Sequence, residues 1–89
     1  MKAVRVMISG RVQGVGFRYF ARRKAKKLNV FGWIQNLGDG SVDAVFQGED
    51  KNVDEMVKWC YEGSPLASVD KVDVRGEPMG KYEEFEILK

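Results

Sequence analysis

The sequence contains no histidine. That removes the commonest general base at neutral pH, the usual imidazole ligand of transition metals and every nucleophilic triad built on one. Cysteine is almost as scarce, with Cys60 standing alone among 89 residues. No disulfide can close within the chain, and no multi-thiolate metal site can be assembled. The Cys-x5-Arg loop of cysteine phosphatases is missing too, because Leu66 stands where its arginine would be. No Asp-x-Asp pair offers the adjoining carboxylates of a metal-dependent phosphatase. No apolar run is long enough for a membrane span or for the core of a signal peptide. These gaps lead us to expect a cytoplasmic protein with no membrane partner, no metal and no cofactor.

Acid is missing from one part of the chain. Residues 1–30 carry nine bases and no aspartate or glutamate, whereas residues 31–89 carry six bases and all 13 acids. The formal charge of +2 conceals this division. An electropositive end of this kind attracts anions, although Arg22, Arg23, Lys24 and Lys26 taken alone fit a solvated helix face equally well.

The apolar spacing orders the elements. Val4, Val6 and Ile8 alternate within Lys2 to Ser9, as in a strand with one buried face. Phe17, Phe20/Ala21, Ala25 and Leu28 recur at helical spacing, with Asn29 suited to a left-handed C-terminal position. Val30 to Asn36 and the alternating Val42, Ala44 and Phe46 read as a hairpin around Leu37-Gly38-Asp39-Gly40. A second helix follows Asp50 as N-cap, carries Val53, Met56, Val57 and Cys60 on one face, and stops at Gly63. Val72 and Val74 mark a fourth strand, and Phe85 and Ile87 a short last one. Before that short last strand the order β-α-β-β-α-β predicts an α+β, ferredoxin-like domain over residues 1–89, with two helices on one face of a mainly antiparallel sheet. Many functions use that architecture, so the site must decide.

The loop Gly10-Arg11-Val12-Gln13-Gly14-Val15-Gly16-Phe17-Arg18 joins a strand to a helix start, where free backbone N–H groups and the helix dipole favour an anion. Gly14 and Gly16 permit a nest-like backbone, and Arg18 could present a planar pair of donors to the same oxygens. The spacing alone also suits a tight structural turn with a surface arginine. It is neither a dinucleotide fingerprint, since Tyr19 takes the third glycine's place, nor a nucleotide P-loop.

The run Ile8-x-Gly10-x-Val12-Gln13-Gly14-Val15-x-Phe17-Arg18 resembles the signature loop of the acylphosphatase family. Gly32-Trp33-Ile34-Gln35-Asn36, Gly40-Ser41-Val42 and Gly48 resemble its second signature; Ile34 replaces a more usual valine or alanine, and Gln35 a frequent base. The likeness implies that Arg18 binds the phosphoryl group, that the amides of Gln13, Gly14, Val15, Gly16, Phe17 and Arg18 hold its oxygens, and that Asn36 positions the attacking water. It implies a small acyl phosphate as substrate, with inorganic phosphate as product and competitive inhibitor; a monomer is the expectation, although no residue pattern reads out the oligomeric state. Without the likeness, Asn36 reads first as a turn or capping residue. A carboxylate leaving group, with a conjugate acid of pKa ~4, can depart unprotonated, which suits a chain without histidine.

Two rivals remain from other classes. An RNA-binding module shares the element order, but Asp43, Val45 and Gln47 lie opposite the core face of their strand and offer no aromatic platform, so a nucleic-acid partner is not expected. Asp39 and Asp43 read as turn and solvent-face residues. An accessory module, like the N-terminal part of the hydrogenase-maturation carbamoyltransferase, would need partner domains that 89 residues do not hold.

Overall fold

The structure, a computed structural model, describes residues 1–89 in full. Its elements are β1 (Lys2–Arg11), α1 (Phe17–Lys27), β2 (Phe31–Asn36), β3 (Val42–Gly48), α2 (Asp50–Glu62), β4 (Ser68–Gly76) and β5 (Phe85–Ile87). The strands form one sheet in the order β4-β1-β3-β2-β5, antiparallel throughout except for the β2–β5 pair. This is the expected α+β, ferredoxin-like arrangement.

Alternation fixes which way each strand faces. Val4, Val6 and Ile8 of β1, Ile34 of β2, and Val42, Ala44 and Phe46 of β3 turn toward the helices, where they meet Phe17, Ala21 and Ala25 from α1 and Val53, Met56 and Cys60 from α2. Phe85 completes the layer by stacking on Phe46 with ring centroids 5.8 Å apart, which gives the three-residue β5 its anchor. Burial of side chains of this size stabilises by roughly 1.5–3 kcal/mol each, so the helical stripes have ample reason to dock. Cys60 belongs to this core, where burial pushes its thiol well up from its ordinary value and leaves it unreactive.

The end of α1 follows from its sequence. Asn29 adopts φ 54°, its N–H donates to the Lys26 carbonyl, and the Val30 N–H donates to the Ala25 carbonyl at 2.9 Å. The chain thereby leaves the helix with its last carbonyls satisfied and Val30 buried. At α2 the boundary differs by one residue from the sequence reading. Glu49 is the N-cap and Asp50 is already helical, with no side-chain cap, because the Glu49 carbonyl accepts the first bonds, from the Asn52 and Val53 N–H groups.

One expectation about faces needs correction. Asp43 is not a solvent-face residue: it is only 2% exposed. The central position of β3 places neighbours on both sides, and Arg5 from β1 closes over the carboxylate with bonds of 2.7 and 2.8 Å. Gln35 adds a third bond, and the Arg5 guanidinium also lies 5.0 Å from the Trp33 ring. Farther along the same face, Gln47 exchanges two hydrogen bonds with the backbone of Gly80, so the β4–β5 connection crosses the sheet and covers it. No helix is long and apolar enough to cross a membrane.

Candidate active site

The segment between β1 and α1 turns on glycine. Gly14 and Gly16 take φ 73° and 76°, a region costly for residues with a Cβ, and Gly16 is the N-cap of α1. Between them Val15 is buried, as are Val12 before and Phe17 after, so apolar side chains point inward while the glycine backbone stays at the surface. A register shift between Ser9 and Gly10 at the end of β1 redirects the chain into this turn.

The consequence is a row of free donors. The backbone N–H groups from Gln13 to Tyr19 donate to no other group of the chain; the first bond of the helix is Phe20 N–H to the Gly16 carbonyl, at 3.1 Å. No side chain caps the helix and its first turn contains no acid. Such a stretch of amides at the positive end of a helix is complementary to an oxyanion. Arg18, half-buried in that first turn, has no ion pair or hydrogen bond within the chain, so its guanidinium is available to the same ligand. A cavity of about 210 Å³ opens here, lined by Gly14, Gly16, Arg18, Tyr19 and Ile87 over a floor of Val12 and Phe17.

Asn36 ends β2, paired with Val42 of β3. Its Oδ1 is buried and has no hydrogen-bond partner. A buried acceptor left without a donor costs roughly 1–3 kcal/mol, and a water or ligand hydroxyl would relieve it. Asn36 does not line the cavity itself. The connection runs through Gln13, whose Nε2 donates to the carbonyls of Leu37 at 2.8 Å and Ser41 at 2.9 Å, the two sides of the loop that Asn36 enters.

The structure thus brings Gln13, Gly14, Val15, Gly16, Phe17 and Arg18 into one turn and ties that turn to the loop after Asn36. Sequence reasoning missed two groups that hold the turn: the Gln13 side chain, read only for its backbone amide, and Ser64, whose hydroxyl bonds the Val15 carbonyl. Their signal was slight, since a glutamine in a loop and a serine before a proline have many surface uses. Asp39 serves the hairpin loop, where its carboxylate accepts from the Ser41 N–H and hydroxyl, and both bonds hold it below its ordinary value. No three histidine, cysteine or acidic residues gather as metal ligands anywhere in the chain.

Comparison with known proteins bears on this arrangement. The family model described as Acylphosphatase matches residues 4–87. An acylphosphatase from Roseiflexus sp. (strain RS-1) is 52% identical over 89 residues, spanning 99% of this chain and 96% of that protein. One from Rubrobacter xylanophilus is 57% identical over 77 residues, spanning 86% and 70% respectively. The crystal structure of acylphosphatase from Bacillus subtilis matches with a TM-score of 0.96 at 33% identity, with both chains covered in full.

Proposed function

The chain belongs to the acylphosphatase family and is a hydrolase of acyl phosphates, and from that premise we propose that it cleaves them by direct attack of water at phosphorus, without metal, cofactor or covalent intermediate. The phosphoryl oxygens take the amides of Gln13 to Arg18, and Arg18 adds its two-pronged donor. Asn36 accepts a hydrogen of the attacking water and orients it, a task that needs no change of protonation in the amide. A new bond forms between the water oxygen and phosphorus as the bond to the acyl oxygen breaks. The carboxylate departs unprotonated, and a phosphate oxygen takes the proton from the water.

The observation that carries this reading is the buried, unpartnered Oδ1 of Asn36, at the end of a strand whose following loop is bonded to the turn with free amides. Positioning and charge stabilisation are what a loose phosphoryl transition state asks of a protein, and this site supplies both. A Lewis acid is not required for so good a leaving group. Simple phosphate esters, whose alkoxides depart poorly without an acid, would be poor substrates.

We further read residues 1–89 as one domain that acts as a monomer in the cytoplasm, with inorganic phosphate as product and competitive inhibitor. The test is hydrolysis of benzoyl phosphate in the presence of chelator, beside an aryl phosphate ester and the variant Asn36→Ala. Chelator-resistant turnover of the acyl substrate alone, lost in the variant, is the expected result. Metal-dependent turnover, or equal rates with the ester, would reject the mechanism.

A further inference from the structure

We propose that the Gln13 side chain is a positioning residue that sets Asn36 against the anion cradle, a role separate from that of the Gln13 backbone amide; this rests on the reading of Asn36 as the residue that holds water.

Both hydrogens of the Gln13 amide are used within the chain, one on the Leu37 carbonyl at 2.8 Å and one on the Ser41 carbonyl at 2.9 Å. None remains for a ligand. The two acceptors flank the residue concerned: Leu37 follows Asn36 directly, and Ser41 precedes Val42, the strand partner of Asn36. The loop closes on itself by Leu37 N–H to the Ser41 carbonyl and Gly40 N–H to the Leu37 carbonyl. Its tip, Gly38 to Gly40, is exposed. Outside the strand ladder and a 3.7 Å contact from the Ser41 hydroxyl to the Met7 sulfur, the Gln13 clamp is what ties this loop to the rest of the molecule by hydrogen bonds. It ties the loop to the segment that holds the anion.

The cradle keeps its own shape by other means, namely the two left-handed glycines and the bond from Ser64 to Val15. Removing the clamp therefore separates water placement from anion binding. In-line attack tolerates little misplacement, so a loosened Asn36 costs turnover even though every group that touches the substrate is still present.

The experiment is a double-mutant cycle. Gln13→Met, which keeps volume and removes the donors, is expected to lower kcat on benzoyl phosphate by roughly 10-fold while the inhibition constant of inorganic phosphate stays unchanged. In the Asn36→Ala background the same change is expected to cost nothing further. Gln13→Asn, too short to reach both carbonyls, serves as the second uncharged variant should the methionine fail to fold, and thermal unfolding checks each protein. An equal loss in both backgrounds, or phosphate inhibition weakened in step with kcat, would overturn the clamp while leaving Asn36 in its role. Wild-type turnover by Asn36→Ala would instead overturn the reading of Asn36, and the clamp with it.

Discussion

The hydroxyl of Ser64 donates to the carbonyl of Val15 at 2.9 Å, joining positions 49 residues apart. Ser64 is 3% exposed, and Val15 sits between the two left-handed glycines, so the bond pins the back of the cradle to the turn that follows α2.

Replacing Ser64 with alanine leaves the Val15 carbonyl buried without its partner. A loss of roughly 1–3 kcal/mol in unfolding free energy is expected, measured by denaturant titration. Phosphate inhibition should weaken as well, because the amides on either side of Val15 lose their fixed direction.

Arg18 and Asn36 should fail differently. On the proposed reading, Arg18→Ala removes a ligand to the phosphoryl group and is expected to weaken both phosphate inhibition and turnover. Asn36→Ala should leave phosphate inhibition intact and lower kcat by ~10²-fold or more. Inhibition constants and kcat for the two variants, taken side by side, check the division; equal damage to phosphate binding would contradict it.

Gly16→Ala tests the backbone. Its φ of 76° lies where a Cβ costs roughly 1–2 kcal/mol, whereas the nearest atoms to an added Cβ, in the Phe20 ring, are an ordinary 3.5 Å away. The penalty is thus conformational. Stability should fall by about that amount, and phosphate inhibition should weaken if the variant relieves the strain by turning its amides away.

On the opposite face, hydrogen bonds from Arg5 hold the Asp43 carboxyl below its ordinary value, against a desolvation cost, and Gln35 assists. With the folded value below the unfolded one, the stabilisation is fully present above the unfolded value and is lost as pH falls through the folded one. Asp43→Asn should therefore cost roughly 1.5–3 kcal/mol near neutrality. The two proteins should converge in stability as pH falls below ~4. Unfolding curves across that range check the sign, and turnover at neutral pH should be unaffected.

The helical stripes, the hairpin and the order of the elements along the chain were legible because each depends on spacing alone. Asn29 was legible for a similar reason, as one of the few residues that tolerate a left-handed conformation. Asp43 was not. Alternation tells which face a side chain takes but not what lies over that face, and here Arg5 from another strand supplies the cover. Within the site, the glycines, Gln13, Arg18 and Asn36 carried the family likeness, but the tasks of the Gln13 and Ser64 side chains stayed hidden, because both act on main-chain carbonyls contributed by distant segments. A bond to a carbonyl leaves almost no trace in sequence, since every residue carries one.

The donors of the cradle are mainly peptide N–H groups. A peptide dipole has no proton to gain or lose over the range in which the protein stays folded, so its pull on an anion is constant with pH. The ligand's own ionisation then governs how tightly it is held. A profile of phosphate affinity against pH would trace the titration of phosphate, and any inflection elsewhere would betray a side chain that takes part.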